Sequence, residues 1–174
     1  DKLLLELGGR YGYETSVVEP VKVGSEIVSS TAIRNYIEAG EIVKANEFLG
    51  RPFSISGIVV RGNHIGSTIR FPTANTKLVS NKVAPMNGVY FTRTSVDGST
   101  YNSVSNVGTK PTIGDYDKSI ETHIFGINEE LYGREIKIEF LKLHRPEVKF
   151  ETVELLTEHI ADDVESARRF HGVK

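Results

Sequence analysis

Hydrophobic residues in the first fifty positions recur with the spacing of α-helices. A short helical pattern opens residues 3–23, and residues 15–19 within that segment could form a strand. From Ser29 a second helix is predicted, with hydroxyl residues suited to cap it and Gly40 placed to end it. A third helix is predicted over residues 41–49. The pattern therefore predicts a mostly helical N-terminal part.

After Arg51-Pro52 the apolar period changes from helical to alternating, so we place a domain boundary there and expect domains at 1–50 and 51–174. An Asp97-Gly98 pair suits a tight turn that needs positive φ. The predicted strands cover residues 53–60, a hairpin at 88–104, then 121–127 and 135–143. Short antiparallel strands with turn signals between them favour a barrel or a sandwich.

The C-terminal residues return to a helical pattern. Residues 152–170 carry an apolar stripe, and Gly172 is placed to end the helix. The stripe is expected to consist of Leu155, Leu156, His159 and Ile160.

Charge and composition narrow the possible functions. The 174 residues include 21 basic and 23 acidic side chains, a net charge of −2, so no global field would attract nucleic acid or an anionic membrane. The absence of cysteine excludes disulfides and thiolate metal sites, and fits a cytoplasmic protein. No apolar run is long enough to span a bilayer. Because the first residue is Asp1, we expect a longer parent polypeptide.

The segment at residues 62–75 contains the clearest candidate chemistry. It follows a predicted strand and holds Gly62 and Gly66, and glycine lets backbone N–H groups approach a phosphate. The segment lacks both the P-loop ending and the glycine spacing of a dinucleotide fold. Taken alone, the glycines are also consistent with a surface turn between strands.

The end of that segment offers two oxygen ligands. Pro72 fixes its own φ, and in an extended chain Thr73 and Asn75 lie on one face. Hydroxyl and amide oxygens are hard, neutral ligands suited to Mg²⁺ that also binds nucleotide phosphates. A hydrogen-bonded Thr-x-Asn turn is the structural alternative.

Six short motifs together resemble the riboflavin kinase family, over a region from about residue 50 to the end of the chain. The motifs are Phe71-Pro72-Thr73-Ala74-Asn75, Gly88-Val89-Tyr90, Asn106-Val107-Gly108-Thr109-Lys110-Pro111-Thr112, Glu121-Thr122-His123-Ile124, Leu131-Tyr132-Gly133 and Arg145-Pro146-Glu147-Val148-Lys149-Phe150. The resemblance implies a mainly β fold, a small closed antiparallel Greek-key barrel of about six strands with a C-terminal helix. It also implies transfer of the γ-phosphate of Mg-ATP to riboflavin, giving FMN.

The resemblance also implies a role for particular residues. Glu121 corresponds to the general base, and Thr73 and Asn75 to the ligands of the Mg²⁺ bound with ATP. The residues expected at the ATP site are Gly62, Gly66, Ser67, Thr68, Pro72 and Asn106. Those expected at the flavin are Arg145, Glu147, Phe150 and Arg168. His123 is assigned to packing. We expect the reacting groups to converge at the mouth of the barrel.

A further element upstream is similar to the end of an FMN adenylyltransferase domain. Ser29-Ser30-Thr31-Ala32-Ile33-Arg34 resembles the Ser-Ser-Thr-x-Ile-Arg sequence of bifunctional FAD synthetases, in which Ser30, Thr31 and Arg34 would contact ATP. Residues 1–50 would then be a mostly helical remnant of an α/β nucleotidyltransferase domain, whose missing N-terminal part belongs to the parent chain. A helix N-cap followed by a surface arginine is the alternative. This chain alone is not expected to adenylylate FMN.

The sequence departs from the family pattern at one position, and it leaves two other functions open. Arg70 stands where the family usually has glycine before Phe71, which is expected to alter ATP affinity. A small antiparallel barrel could instead bind oligonucleotides, although the acidic balance argues against it. A barrel that binds flavin or nucleotide without catalysis is the other alternative. The expected partners are ATP and riboflavin, with neither nucleic acid nor membrane.

Overall fold

The structure, a computed structural model, describes residues 2–61, 71–77, 83–111 and 116–173. Gly62, Gly66, Ser67 and Thr68, which were predicted at the ATP site, and Arg70 lie outside these ranges. The described elements are α1 Lys2–Tyr11, β1 Lys22–Val23, β2 Glu26–Ile27, α2 Ser30–Glu38, α3 Ile42–Leu49, β3 Phe53–Val60, β4 Ala74–Lys77, β5 Gly88–Val96, β6 Ser99–Pro111, β7 Tyr116–Ile124, β8 Glu135–Pro146 and α4 Val153–His171. None of the helices in these ranges is long and apolar enough to cross a membrane.

The helices near the N-terminus begin and end largely where the sequence predicts. The Ser29 side chain caps α2 by accepting a hydrogen bond from the backbone N–H of Ala32, and Gly50 ends α3 in the left-handed conformation. The strand suggested at residues 15–19 is wrong, because that segment is irregular. The only pairing described nearby is the two-residue ladder of β1 and β2.

Six antiparallel strands close into a barrel in the order β3, β4, β7, β6, β5, β8. β5, β6 and β7 follow one another as hairpins, and β8 returns to pair with β5, which is a Greek-key arrangement. The turn between β5 and β6 has positive φ at both Asp97 and Gly98. The barrel and the C-terminal helix implied by the resemblance are therefore confirmed, and the sandwich alternative is wrong.

The inside of the barrel is filled by side chains. Alternate residues of the strands supply an apolar core that includes Tyr90, Val107, Ile120, Ile138 and Phe140, all at most 1% exposed. Next to it lies a buried hydroxyl cluster, linked by side-chain hydrogen bonds of 2.8–2.9 Å and formed by Thr92, Thr94, Ser103, Ser105 and Thr122. Among the described residues, these two groups of side chains fill the barrel where they lie.

Helix α3 packs into the same core as the strands. Ile42 is 1% exposed and belongs to the hydrophobic cluster of the barrel. The side chain of Asn46 donates to the carbonyl of Phe140 at 2.8 Å and accepts from the N–H of Phe53 at 2.7 Å. The proposed domain boundary at residue 51 stays a prediction, but α3 is physically part of the barrel unit.

Helix α4 covers part of the outer wall of the barrel. Its N-cap is Thr152, and Gly172 ends it in the left-handed conformation. Val164 and Ala167 are buried against Val89, Phe91, Val104 and Phe125 of the strands and the turn after β7. The predicted stripe was partly wrong: Leu155 is 44% exposed and His159 is exposed, while the buried face includes Asp163.

Candidate active site

One row of paired positions runs through β4, β7, β6, β5 and β8. Glu121 on β7 lies between Asn75 on β4 and Asn106 on β6. Asn106 pairs in turn with Val89 on β5, and Val89 pairs with Arg145 on β8. Directly paired residues of antiparallel strands point their side chains to the same face. Side chains that are far apart in sequence therefore form a continuous line on the barrel wall.

This line faces outward rather than into the barrel. The neighbouring residues Ile120, Val107 and Tyr90 fill the core, so the alternating positions must point away from it. Helix α4 and the segment before it lie over the same outer face. The expectation of a site at the mouth of the barrel stays a prediction. The row and the cavity beside it lie on the outer wall, where α4 supplies the second side of the cavity.

A cavity of about 270 Å³ lies between the barrel wall and α4. Its walls are mainly apolar, with several charged and polar groups among them, which is the usual composition of a small-molecule site. The lining residues are Phe71, Thr73, Val89, Val104, Asn106, Glu121, His123, Arg145, Glu147, Val148, Phe150, Leu156, Ile160, Asp163 and Val164. The cavity thus brings together residues predicted for the base, the metal, the nucleotide and the flavin.

Thr73 and Asn75 lie side by side as the chain enters β4. The Nδ2 of Asn75 lies 3.4 Å from the carbonyl oxygen and 3.5 Å from the Oγ1 of Thr73. Thr73 lines the cavity, and Asn75 is the direct strand partner of Glu121. The hydrogen-bonded alternative is therefore present in the geometry, and the role of the pair as metal ligands stays a prediction.

His123 joins the segment before β4 to β7. Its Nδ1 lies 2.9 Å from the carbonyl oxygen of the exposed Pro72. The ring packs edge-on against Phe71 and Phe125, with centroids 5.6 and 5.5 Å away. Burial lowers the pKa of His123 below its usual value, an effect that the bond to Pro72 partly opposes and the nearby Arg168 charge reinforces. This shift favours the neutral form of the imidazole.

Arg145 and Asp163 form a bidentate ion pair in the wall of the cavity. The Nε and Nη2 of Arg145 donate to the two carboxylate oxygens of Asp163 at 2.8 and 2.7 Å. His144 Nε2 lies 3.4 Å from the same carboxylate. A β-bulge brings both residues to this side, because the pairing of β5 with β8 passes from Arg145 to Leu143 and leaves His144 out of register.

Glu147 and Asn106 flank Gly108 at one end of the cavity. A Cβ added at Gly108 would lie 3.5 Å from both Asn106 Nδ2 and Glu147 Oε1. Asn87 Nδ2 donates to Glu147 Oε2 at 2.9 Å and to Thr109 Oγ1 at 3.0 Å. Glu147, which was predicted at the flavin, therefore lies close to Asn106, which was predicted at the nucleotide.

The remaining flavin predictions lie in different places. Phe150 lines the cavity, with the Arg145 guanidinium 5.8 Å from its ring centroid and His159 packed at 4.7 Å. Arg168 lies over the ring of Phe125 at 5.0 Å, beside the aromatic residues next to His123, and it is not among the cavity-lining residues. The flavin role of Arg168 stays a prediction.

The adenylyltransferase-like residues lie on another part of the surface. Ser30, Thr31 and Arg34 are exposed on α2. Ser30 and Arg34 line a separate cavity of about 330 Å³ together with Arg51. The structure therefore does not bring this element to the cavity that contains Glu121.

Sequence reasoning missed Asp163 and Val89 as parts of the site. Asp163 had a usable signal, since it continues the cavity-facing line of Leu156 and Ile160 along α4. An acid on the buried face of a helix is rarely left without a cationic partner. Val89 belongs to the Gly88-Val89-Tyr90 motif, but the motif alone gave it no role, because its place in the row depends on how β5 pairs with β6 and β8.

Comparisons with known proteins show which proteins this chain is similar to. A family model described as riboflavin kinase matches residues 49–171. The chain is 41% identical to the bifunctional riboflavin kinase/FMN adenylyltransferase of Bacillus subtilis, over 95% of this chain and 52% of the relative. It is 36% identical to the Escherichia coli K12 protein of the same description, over 99% of this chain and 56% of the relative. The chain therefore spans about half the length of these relatives.

A solved structure has the same fold over nearly the whole chain. A crystal structure described as a macrolide-efflux protein from Streptococcus pneumoniae superposes with a TM-score of 0.85 at 32% identity. The match covers 94% of this chain and 54% of that one.

Proposed function

The chain belongs to the riboflavin kinase family, and from this premise we propose that it transfers the γ-phosphate of ATP to the ribityl 5′-hydroxyl of riboflavin. The products are FMN and ADP. The cavity between the barrel wall and α4 supports this proposal, since it combines an apolar interior with a carboxylate and polar groups at one side.

Glu121 is the proposed general base. Its carboxylate accepts the proton of the 5′-hydroxyl while that oxygen forms a bond to the γ-phosphorus and the bond to the β-phosphate oxygen breaks. Its half-buried position in the cavity wall, between Asn75 and Asn106, gives it access to a substrate held there. Amide neighbours hold a substrate oxygen without competing for its proton.

Thr73 and Asn75 are the proposed ligands of a Mg²⁺ ion that arrives with ATP. The two side chains are adjacent, with Asn75 Nδ2 3.5 Å from Thr73 Oγ1. Their Oγ1 and Oδ1 oxygens are of the kind that binds a hard cation whose other ligands are phosphates and water. When bound, the ion neutralises charge on the transferring phosphoryl group. Pro72 sets the entry of this pair into β4, and Asn106 completes the polar side of the cavity.

The apolar part of the cavity is the proposed flavin site. Phe150, Leu156 and Ile160 offer surface to the isoalloxazine ring, while Arg145 and Glu147 supply hydrogen bonds at its polar edge. Because Asp163 occupies two of the donor nitrogens of Arg145, the guanidinium is held in one orientation.

The observation that carries the proposal is the strand register that sets Glu121 between Asn75 and Asn106 in a wall of the cavity. It is tested by incubating the chain with riboflavin and Mg-ATP and measuring FMN. We expect Glu121→Gln to lower kcat by about 10²–10⁴-fold, the usual contribution of a general base, with the fold intact.

Glu135→Gln is the matched control, since Glu135 is an exposed carboxylate at the start of β8. This variant should keep the wild-type rate. Equal rates for Glu121→Gln and wild type would contradict the role of Glu121, and binding of riboflavin without FMN formation by the wild type would favour a non-catalytic flavin-binding module.

The parent protein is proposed to convert FMN to FAD as well. The support is the resemblance of residues 29–34 and the two bifunctional relatives that this chain matches over about half their length. An adenylyltransferase site that includes Ser30, Thr31 and Arg34 would be a second active site, separate from the kinase site. It would need the part of the relatives that this chain does not cover. A cytoplasmic location also stays a prediction.

A further inference from the structure

His123 makes a contact that the proposed mechanism does not use. It lies two residues beyond Glu121 on the outward face of β7, in the wall of the cavity. Its Nδ1 lies 2.9 Å from the carbonyl oxygen of Pro72, the residue before Thr73. The contact therefore connects the strand that carries the proposed base to the segment that carries a proposed metal ligand.

Backbone pairing alone does not fix that segment. The register of β4 with β7 runs from Lys77 opposite Ser119 to Ala74 opposite Thr122. Pro72 lies beyond this last pair and has no N–H to donate to a neighbouring strand. The imidazole of His123 binds the Pro72 carbonyl at the point where the ladder ends.

The ring of His123 is itself held in place. Phe71 and Phe125 pack edge-on against it, so its rotation would disturb both aromatic contacts. A carbonyl oxygen accepts but cannot donate, so the contact requires the hydrogen to be on Nδ1. The neutral imidazole therefore has a defined tautomer in this site.

We infer that His123 is a positioning residue, whose Nδ1–H bond to Pro72 sets the direction of residues 71–73 and thereby the place of the Thr73 hydroxyl relative to Glu121. The inference rests on the proposed function for the identity of the ligand, Mg-nucleotide. It differs from the packing role expected from the sequence, in which the ring would matter and its hydrogen bond would not.

His171 provides a matched control, because it packs against the same phenylalanine as His123. The ring centroids of His171 and Phe125 are 6.2 Å apart, and Nε2 of His171 lies 3.2 Å from the carbonyl oxygen of Ser103. Burial lowers the pKa of His171, as it does that of His123. The two histidines differ in the carbonyl they bind, because Ser103 belongs to β6 and not to the segment that carries Thr73.

The test compares His123→Leu, His123→Asn and His171→Leu. Asn carries an amide N–H close to the position of the imidazole Nδ1, whereas Leu has no donor. Binding of a non-hydrolysable ATP analogue is measured by calorimetry with and without Mg²⁺, and riboflavin binding by flavin fluorescence. All measurements are made below the unfolding transition of each variant.

We expect His123→Leu to weaken Mg-nucleotide binding by about tenfold, the scale of one lost hydrogen bond, with riboflavin affinity within about threefold of wild type. His123→Asn should recover most of this loss. His171→Leu should lower the melting temperature and leave both affinities near wild type. Unchanged Mg-nucleotide binding in His123→Leu, equal losses in His171→Leu, or no recovery in His123→Asn would each overturn the inference.

If His123→Leu does not fold, the comparison of His123→Asn with His123→Gln still tests the inference. His123→Gln is polar like His123→Asn but places its amide further along, near the Nε2 position, so only the Asn variant should keep Mg-nucleotide affinity. Because binding is measured without turnover, a wild type that binds Mg-nucleotide but forms no FMN contradicts the proposed function alone. A wild type that does not bind Mg-nucleotide overturns the inference.

Discussion

Arg145 reaches the cavity with its guanidinium already engaged on one side. The Asp163 carboxylate takes the Nε and Nη2 donors, and Nη1 donates to the carbonyl of Pro146 at 3.2 Å. The side chain of Asp163 is 8% exposed, so little water competes for this pair. The arginine predicted to bind flavin therefore depends on an acid from another element for its orientation.

Asp163→Asn should weaken riboflavin binding by about tenfold and lower the free energy of unfolding by about 1–3 kcal/mol. The amide would direct an N–H group at the guanidinium and leave Arg145 without its charged acceptor. Flavin fluorescence titration and thermal unfolding measure the two effects.

Asp162→Asn is the control for this substitution, because Asp162 is the exposed neighbour in α4 and its loss changes the net charge equally. It should leave riboflavin affinity and stability nearly unchanged. If both variants lose affinity to the same extent, the effect comes from the charge of the helix and not from the contact with Arg145.

At the scale of elements, the contact between β5 and β8 decides where Arg145 lies. Gly88, the first residue of β5, pairs with Pro146, and the bulge at His144 follows directly. A Cβ at Gly88 would lie 2.5 Å from the backbone oxygen of Arg145 and 3.1 Å from Leu143. A backbone oxygen cannot turn away as a flexible side chain can, so the two strands can approach this closely only with glycine.

We expect Gly88→Ala to lower the free energy of unfolding by about 1–3 kcal/mol, because β5 and β8 must separate to admit the methyl group. Riboflavin binding should fall as well, since Arg145 follows the shift of β8. Denaturant unfolding and fluorescence titration provide the measurements.

Gly57→Ala is the comparison within another strand. A Cβ at Gly57 in β3 would meet its nearest atom, in the side chain of Thr76, at an ordinary 3.5 Å. This variant should be close to wild type in both assays. Equal destabilisation of the two variants would mean that loss of glycine in a strand, and not the close approach to Arg145, is responsible.

At the scale of the whole molecule, the barrel includes helix α3 from the part assigned to the neighbouring domain. Ile42 adds its side chain to the barrel core, and Asn46 bonds to the backbone of both β3 and β8. Removal of α3 would expose part of that core and leave the Phe53 N–H without its acceptor. We therefore expect the structural unit to begin before residue 51.

A chain that begins at residue 29 should keep the melting temperature of the full chain, whereas one that begins at residue 51 should unfold at a clearly lower temperature. Ile42→Ala in the full chain should lower the free energy of unfolding by about 2–5 kcal/mol, the usual cost of truncating a buried isoleucine. Circular dichroism melting compares all three. Equal stability of the two shortened chains would support the boundary at residue 51.

The sequence by itself determined the local elements and the family. Helix caps such as Ser29 and Gly50, the alternation in β3 and the turn at Asp97-Gly98 depend on neighbouring residues, so they could be predicted from spacing and residue type. The motifs identified the family for the same reason, since each is a short contiguous stretch. The predicted strand at residues 15–19 failed because propensity without a partner strand does not make a sheet.

Only the tertiary structure decided which of these residues meet. The row that sets Glu121 between Asn75 and Asn106 depends on the pairing of three strands, and a shift of one residue would turn those side chains inward. The bulge that aims Arg145 at Asp163 and the bond from His123 to Pro72 also join distant segments. Such contacts depend on strand order and register, which are non-local properties that no window of sequence contains.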